Sequence, residues 1–250
     1  MSDTTMADDD TIVSMMKALK LVDLRGCYKE LIAEAEETSM GYRGFLVRLL
    51  TEEKEGKESR RQARLLKDAR FESENTLDDI DYSFNTDIKR DQIENLGRLG
   101  FLKRRENIVL IGPEGVGKTM IAAGIGRKAC SSGYRVLFVN VKELLDSLHL
   151  EATRGTLESA LARLAGYHLL ILDELSYFEM DKERESLFYQ IVRQRYEKSS
   201  LIVTTNLPYS RWKEVFTSEL AVTAILGRLT HHCHTITING DSYRVKGKKN

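Results

Sequence analysis

Eight consecutive residues, GPEGVGKT at 112–119, fit the phosphate-binding pattern G-x-x-x-x-G-K-[ST] at every defined position. They follow the apolar run NIVLI and precede MIAAGIGRKA, so strand and helix flank the loop as the pattern requires. In such a loop the backbone of Gly112, Pro113, Glu114, Gly115, Val116 and Gly117 wraps a triphosphate. Amides at the helix start, up to Met120, point at the anion. Lys118 reaches the β and γ phosphates, and the Thr119 hydroxyl ligates magnesium, so ATP with Mg²⁺ is the expected pair of cofactors. Further on, HLLILDEL at 168–175 reads as a buried strand ending in two adjacent carboxylates, at the sheet edge where such folds bind ligands. Asp173 then holds the magnesium through its water shell, and Glu174 polarises a water for attack on the γ phosphate. A kinase or GTPase of this fold needs no carboxylate at the second position, so the Asp-Glu pair favours hydrolysis of ATP by water. A third apolar run, SLIVTTN at 200–206, ends in Asn206. Asn at a strand end is by itself a turn former. The order of the three motifs gives Asn206 a role in orienting the attacking water or touching the γ phosphate.

These residues need a scaffold that brings three strand ends together. From NIVLIG onward, short Leu-rich and β-branched runs alternate with helix-length segments, the pattern of a parallel sheet with helices on both faces. The expected class is α/β, a central parallel sheet flanked by helices, preceded by a small all-α N-terminal domain. Residues 11–37 carry apolar positions at mostly helical spacing, and Gly41 and Gly44 break the pattern. A second helical stretch over 45–69 begins apolar and ends in the basic SRRQARLLKDAR. Residues 72–87 are polar and acidic around isolated Leu77, Ile80, Tyr82 and Phe84, as a docking linker would be. The expected domains are 1–71, helical and partner-binding, and 72–250, the nucleotide-binding core.

Composition excludes more than it selects. Lys plus Arg equals Asp plus Glu at 38 each, so global charge makes no case for a nucleic-acid partner. No run approaches the length of a membrane span, and the start MSDTTMADDD is acidic where a secretory signal is basic then apolar. A cytoplasmic protein without membrane contact is expected. Cys27, Cys130 and Cys233 lie far apart and read as reduced thiols.

Together with GPEGVGKT, LLILDE and VTTN, the ending AILGRLTHHCHTITINGDSYR resembles the DnaC/IstB group of AAA+ proteins, in particular its IstB-type transposition helper ATPases. The similarity covers nearly the whole chain. It implies an AAA+ core over about residues 76–246, an N-terminal partner-binding domain, ring-like or helical self-association, duplex DNA of low sequence specificity, and a transposase as partner. Arg228 matches the arginine finger that reaches a neighbouring subunit's ATP, with Gly227 where the family usually has Asp. Arg244 in DSYR would contact the nucleotide from the end of the core, or serve as an ordinary surface Arg. Tyr82 and Phe84 stand where the family's linker nears the adenine, or simply pack. Lys142, Arg154 and Arg163 fall in the helical insertion that faces DNA in related initiators. The cluster Arg60, Arg61, Arg64, Lys67 and Arg70 either touches DNA or pairs with acidic residues at 52–58. His231, His232 and His234 read as alternating positions of a strand with no carboxylate within four residues, so no structural metal is expected there. The competing readings are a helicase loader on single-stranded DNA, a small-molecule kinase, and a nucleotide-gated binding module.

Overall fold

The computed structural model describes residues 3–83, 85–175, 178, 180–240 and 242. The chain divides into two compact units, residues 1–64 and 65–250. The sequence-based division near 72 lies slightly later; Leu65 and Ala69, between the two positions, are buried in the core of the second unit.

The first unit consists of α1 (Asp3–Ala18), α2 (Leu24–Glu37) and most of α3 (Tyr42–Asp68). The stretch 11–37, expected as one helical run, is two helices. Lys20 adopts a left-handed φ of 59°, a conformation that ends a helix at a residue with a side chain. The first amides of α2 are then satisfied from another helix: Asp23 N and Leu24 N donate to the Glu53 carboxylate at 3.0 and 3.1 Å. Arg60 pairs with Asp23 and lies 3.6 Å from Glu53. Of the two roles open to Arg60, ion pairing is therefore satisfied within its own unit. Leu24, Tyr28 and Leu31 are buried, whereas Leu19, Tyr42, Leu46, Val47 and Leu50 are exposed.

The second unit is built on strands β1 (Asn107–Ile111), β2 (Val136–Asn140), β3 (Leu169–Asp173), β4 (Ser200–Thr205) and β5 (Cys233–Thr237). They lie in the order β2-β3-β4-β1-β5, every neighbouring pair parallel. Side chains alternate between two cores, as period-2 geometry on a sheet covered on both faces demands. Ile108, Leu110, Val136, Leu169, Ile171 and Ile202 enter one core, with α6 (Lys118–Ser131), α4 (Arg90–Gly97) and α5 (Gly100–Arg104). Val109, Ile111, Leu170, Leu172, Leu201 and Val203 enter the other, with α7 (Val141–Thr153), α8 (Leu157–Ala165), α9 (Lys182–Arg195) and α10 (Glu219–Leu229). Buried Asn107 pins β1 in place: its amide donates to Leu229 O at 2.9 Å, and its oxygen accepts from Leu201 N at 2.9 Å.

Strand order decides which chain segments meet. β4 lies between β3 and β1, so its C-terminal residues stand between the end of β3 and the loop that leaves β1. Asn140 at the end of β2 is in register with Asp173 at the end of β3. Just past β5 the chain still runs beside β1 at the start of that loop, where Ile238 N donates to Ile111 O at 2.8 Å.

Candidate functional site

The loop between β1 and α6 is shaped by glycines at positions where a side chain would be strained. Gly115 and Gly117 have φ of 77° and 98°, and Gly117 caps α6 at its N-terminus. Lys118 is buried, and its ammonium donates to Gly112 O and Pro113 O, each at 2.7 Å, which closes the loop into an arc around the start of the helix. The uncapped amides of α6 face the same space, so positive backbone dipole and lysine charge converge there.

Asp173 ends β3 and is almost fully buried. Thr119 Oγ1 lies 3.2 and 3.1 Å from its two carboxylate oxygens, and the Thr204 hydroxyl donates to it from β4. Burial pushes the Asp173 carboxyl above its ordinary value, with these hydroxyls and Lys118 pulling the other way. Glu174 follows with a left-handed φ of 62°, an unusual conformation for a residue with a side chain. Two contacts hold it: its backbone N donates to Thr204 Oγ1 at 2.9 Å, and Asn140 Nδ2 donates to its carboxylate at 2.9 Å. Asn140 also caps α7, its Oδ1 accepting from Lys142 N at 2.9 Å.

Two cavities adjoin the loop. A crevice of about 30 Å³ is bounded by Gly115, Lys118, Thr119, Glu174, Thr204 and Thr205. It is large enough for a water molecule between the carboxylate and the lysine. The larger cavity, about 450 Å³, has Gly115 to Ile121 on one side and linker residues including Ile80, Asn85 and Ile88 on the other. Its size suits a small organic ligand with a phosphate tail in the loop. The all-oxygen donor set of Thr119 and Asp173 fits Mg²⁺, which prefers carboxylate, hydroxyl and water oxygens.

The structure thus brings together Gly115, Gly117, Lys118, Thr119, Asp173 and Glu174. Asn206 sits one residue beyond the end of β4, and the crevice wall is formed there by Thr204 and Thr205. Arg228, on α10, lies over the Tyr189 ring at 5.2 Å and donates to Ala224 O at 2.9 Å; among the described residues it lines neither cavity. Tyr82 packs beneath Arg90, whose guanidinium lies 5.6 Å from its ring centroid, in a crevice separate from the main cavity. Phe84 and Arg244 lie outside the described residues, while Ser242 lies close against Gly115. Lys142, Arg154 and Arg163 are exposed on or beside α7 and α8, with Arg163 3.7 Å from Glu151.

Sequence reasoning missed Asn140, Thr204, Asn85 and Ile88, and it read Ile80 only as a docking position of the linker. Asn140 had one legible signal: it ends an apolar run immediately before a helix, the position an N-cap takes.

Comparison with known proteins agrees with this geometry. The family model described as IstB-like ATP binding protein matches residues 14–250. A Pseudomonas aeruginosa protein described as an ATP-binding protein of insertion sequence IS21 is 38% identical over 235 residues, which are 94% of this chain and 89% of that protein. Among solved structures, the replication initiator DnaA bound to AMPPCP and single-stranded DNA matches at TM-score 0.58 and 18% identity, over 69% of this chain and 52% of that one. The DnaC helicase loader matches at TM-score 0.50 and 21% identity, over 59% and 86%. These two likenesses establish the AAA+ P-loop fold.

Proposed function

The chain belongs to the IstB-like ATP-binding family of insertion sequences, and from that premise we propose that it is an assembly-dependent ATPase acting on duplex DNA beside a transposase. The observation that carries the reading is Glu174, held in a strained conformation at a water-sized crevice that also touches Lys118 and Thr119. A protein that only binds ATP has no need of a second carboxylate poised there. Glu174 accepts a proton from the attacking water, and Lys118 with the amides of α6 neutralises charge gathering on the γ phosphate. Thr119 and Asp173 would hold a Mg²⁺ ion, which would supply positive charge to offset that of the phosphates. Asn140 and Thr204 keep Glu174 in position.

Arg228 supports dependence on assembly, because it lies away from both cavities of its own chain and suits delivery to a second copy. Exposed basic residues at Lys142 and Arg154 support contact with phosphates rather than bases, and the insertion-sequence context of the relatives supports a transposase as partner and the cytoplasm as location. No helix among the described residues is long and apolar enough to cross a membrane.

The test is Arg228→Ala, alone and mixed with Lys118→Ala chains. Each variant alone should be inactive, with Arg228→Ala losing about 10³-fold or more in turnover while still binding ATP. Mixing should restore hydrolysis, since an intact Arg228 on one chain serves an intact loop on the next. Full activity of Arg228→Ala alone, or no recovery on mixing, contradicts a finger acting between subunits.

A further inference from the structure

The three C-terminal histidines do not share a strand. His231 and His232 occupy the turn after α10, and only His234 lies in β5. His234 is engaged elsewhere, its Nε2 2.8 Å from Glu106 Oε2. The Cys233 sulfur lies 4.0 Å from the Thr235 hydroxyl. The expectation of no nearby carboxylate also changes, because the fold delivers one from far along the chain. Glu197, in the turn between α9 and β4, places its Oε1 3.8 Å from His231 Nδ1.

We propose that Glu197, His231 and His232 form a surface site for a borderline divalent cation of the Zn²⁺ class, a site separate from the nucleotide cavity. One ligand atom from each residue lies within 4.8 Å of the other two, and all three residues are exposed. Closing to metal-bond length is a matter of side-chain rotation at the surface. The two imidazole rings stand 4.1 Å apart, centroid to centroid. Neither backbone segment is slack: Glu197 has a left-handed φ of 57°, its carbonyl accepts from Arg105 at 2.9 Å, and His232 O accepts from Asn107 N at 2.8 Å. The Tyr196 hydroxyl lies 3.0 Å from His231 Nδ1, and a cation bound through that nitrogen displaces this contact. Two imidazoles and one carboxylate select Zn²⁺, Co²⁺ or Ni²⁺ and reject Mg²⁺, the reverse of the oxygen donors at Thr119 and Asp173. The remaining coordination positions go to water, or to a donor from another molecule at the same surface.

The experiment uses the untagged full chain, stripped of metal and free of nucleotide, titrated with Co²⁺ in excess Mg²⁺. Omitting nucleotide keeps the outcome independent of the ATPase reading. Expected is a visible absorption band that saturates at one equivalent and disappears when Zn²⁺ is added. His231→Ala and His232→Ala should each weaken binding by at least ~10-fold, and Glu197→Gln should weaken it as well. His234→Ala serves as the control and should leave the affinity unchanged. The side chains of Glu197, His231 and His232 are exposed, that of His234 is half-buried, and matched thermal melts verify that every variant folds. Absence of a saturable band, equal loss in His234→Ala, or full binding after both His231 and His232 are replaced overturns the site.

Discussion

Replacing Glu174 by Gln separates the chemical role of this residue from its structural one. The backbone at φ 62° is held by Thr204, and Gln presents the same amide to it. The side-chain oxygen that accepts from Asn140 at 2.9 Å has a counterpart in the Gln carbonyl. Glu174 sits at the crevice, and Gln has the same shape, so no cavity and no unpaired group is created; stability should change by less than about 0.5 kcal/mol. What disappears is the proton acceptor, and loss of a general base lowers turnover by about 10²–10⁴-fold, or roughly 3–5.5 kcal/mol of transition-state stabilisation. ATP affinity should stay near its original value, because the phosphate contacts of Lys118 and α6 are untouched. The assay is steady-state phosphate release, with fluorescent-nucleotide binding and a thermal melt on the same sample. Turnover within a factor of a few of the original, at equal affinity and stability, would refute Glu174 as the base. A large fall in melting temperature would refute the isosteric argument instead.

Other consequences follow from the residues around it. Asn140→Ala removes the cap of α7 and should cost about 0.5–2 kcal/mol in a denaturant or thermal melt. Asn140→Asp keeps the cap but places a like charge against Glu174, so the acid limb of turnover should move to higher pH; an unmoved profile would dissociate Asn140 from the site. Asp173 has a carboxyl raised by burial, so its protonated form favours the folded state, and its contribution to stability declines as pH rises from the ordinary carboxylate value through the raised one. Asp173→Asn should therefore melt higher than the parent at neutral pH while losing Mg²⁺-dependent turnover, and parent Mg²⁺ affinity should fall as pH drops through the raised value. Equal melting temperatures at neutral pH would remove the burial cost from Asp173.

Much of this site is legible in the sequence because its main parts are contiguous. The phosphate loop needs glycines, a lysine and a hydroxyl within eight residues, and the Asp-Glu pair closes one apolar run. The alternation of buried runs and helices likewise foretells the parallel sheet. What escapes depends on neighbours that strand order alone creates. Thr204 matters because β4 lies between β3 and β1, and Asn140 because β2 ends in register with β3. The linker shows the same limit: the family resemblance pointed to Tyr82, yet Ile80, one of the docking positions in the linker, faces the cavity together with Asn85 and Ile88. Lys20 breaks a helix that periodicity carries straight through, since apolar spacing says nothing about a single left-handed residue. Glu197 joins His231 and His232 only because the turn after α9 and the turn after α10 fold to the same edge.

The most direct test of assembly on duplex DNA is the particle mass of the full chain with a non-hydrolysable ATP analogue, measured without DNA and then with duplex or single-stranded DNA of equal length. Expected are large particles that require both the analogue and DNA, form preferentially on duplex, and shrink steeply with salt as phosphate contacts are screened. Preference for single strands would point to a helicase loader, and a monomer under every condition would contradict assembly altogether.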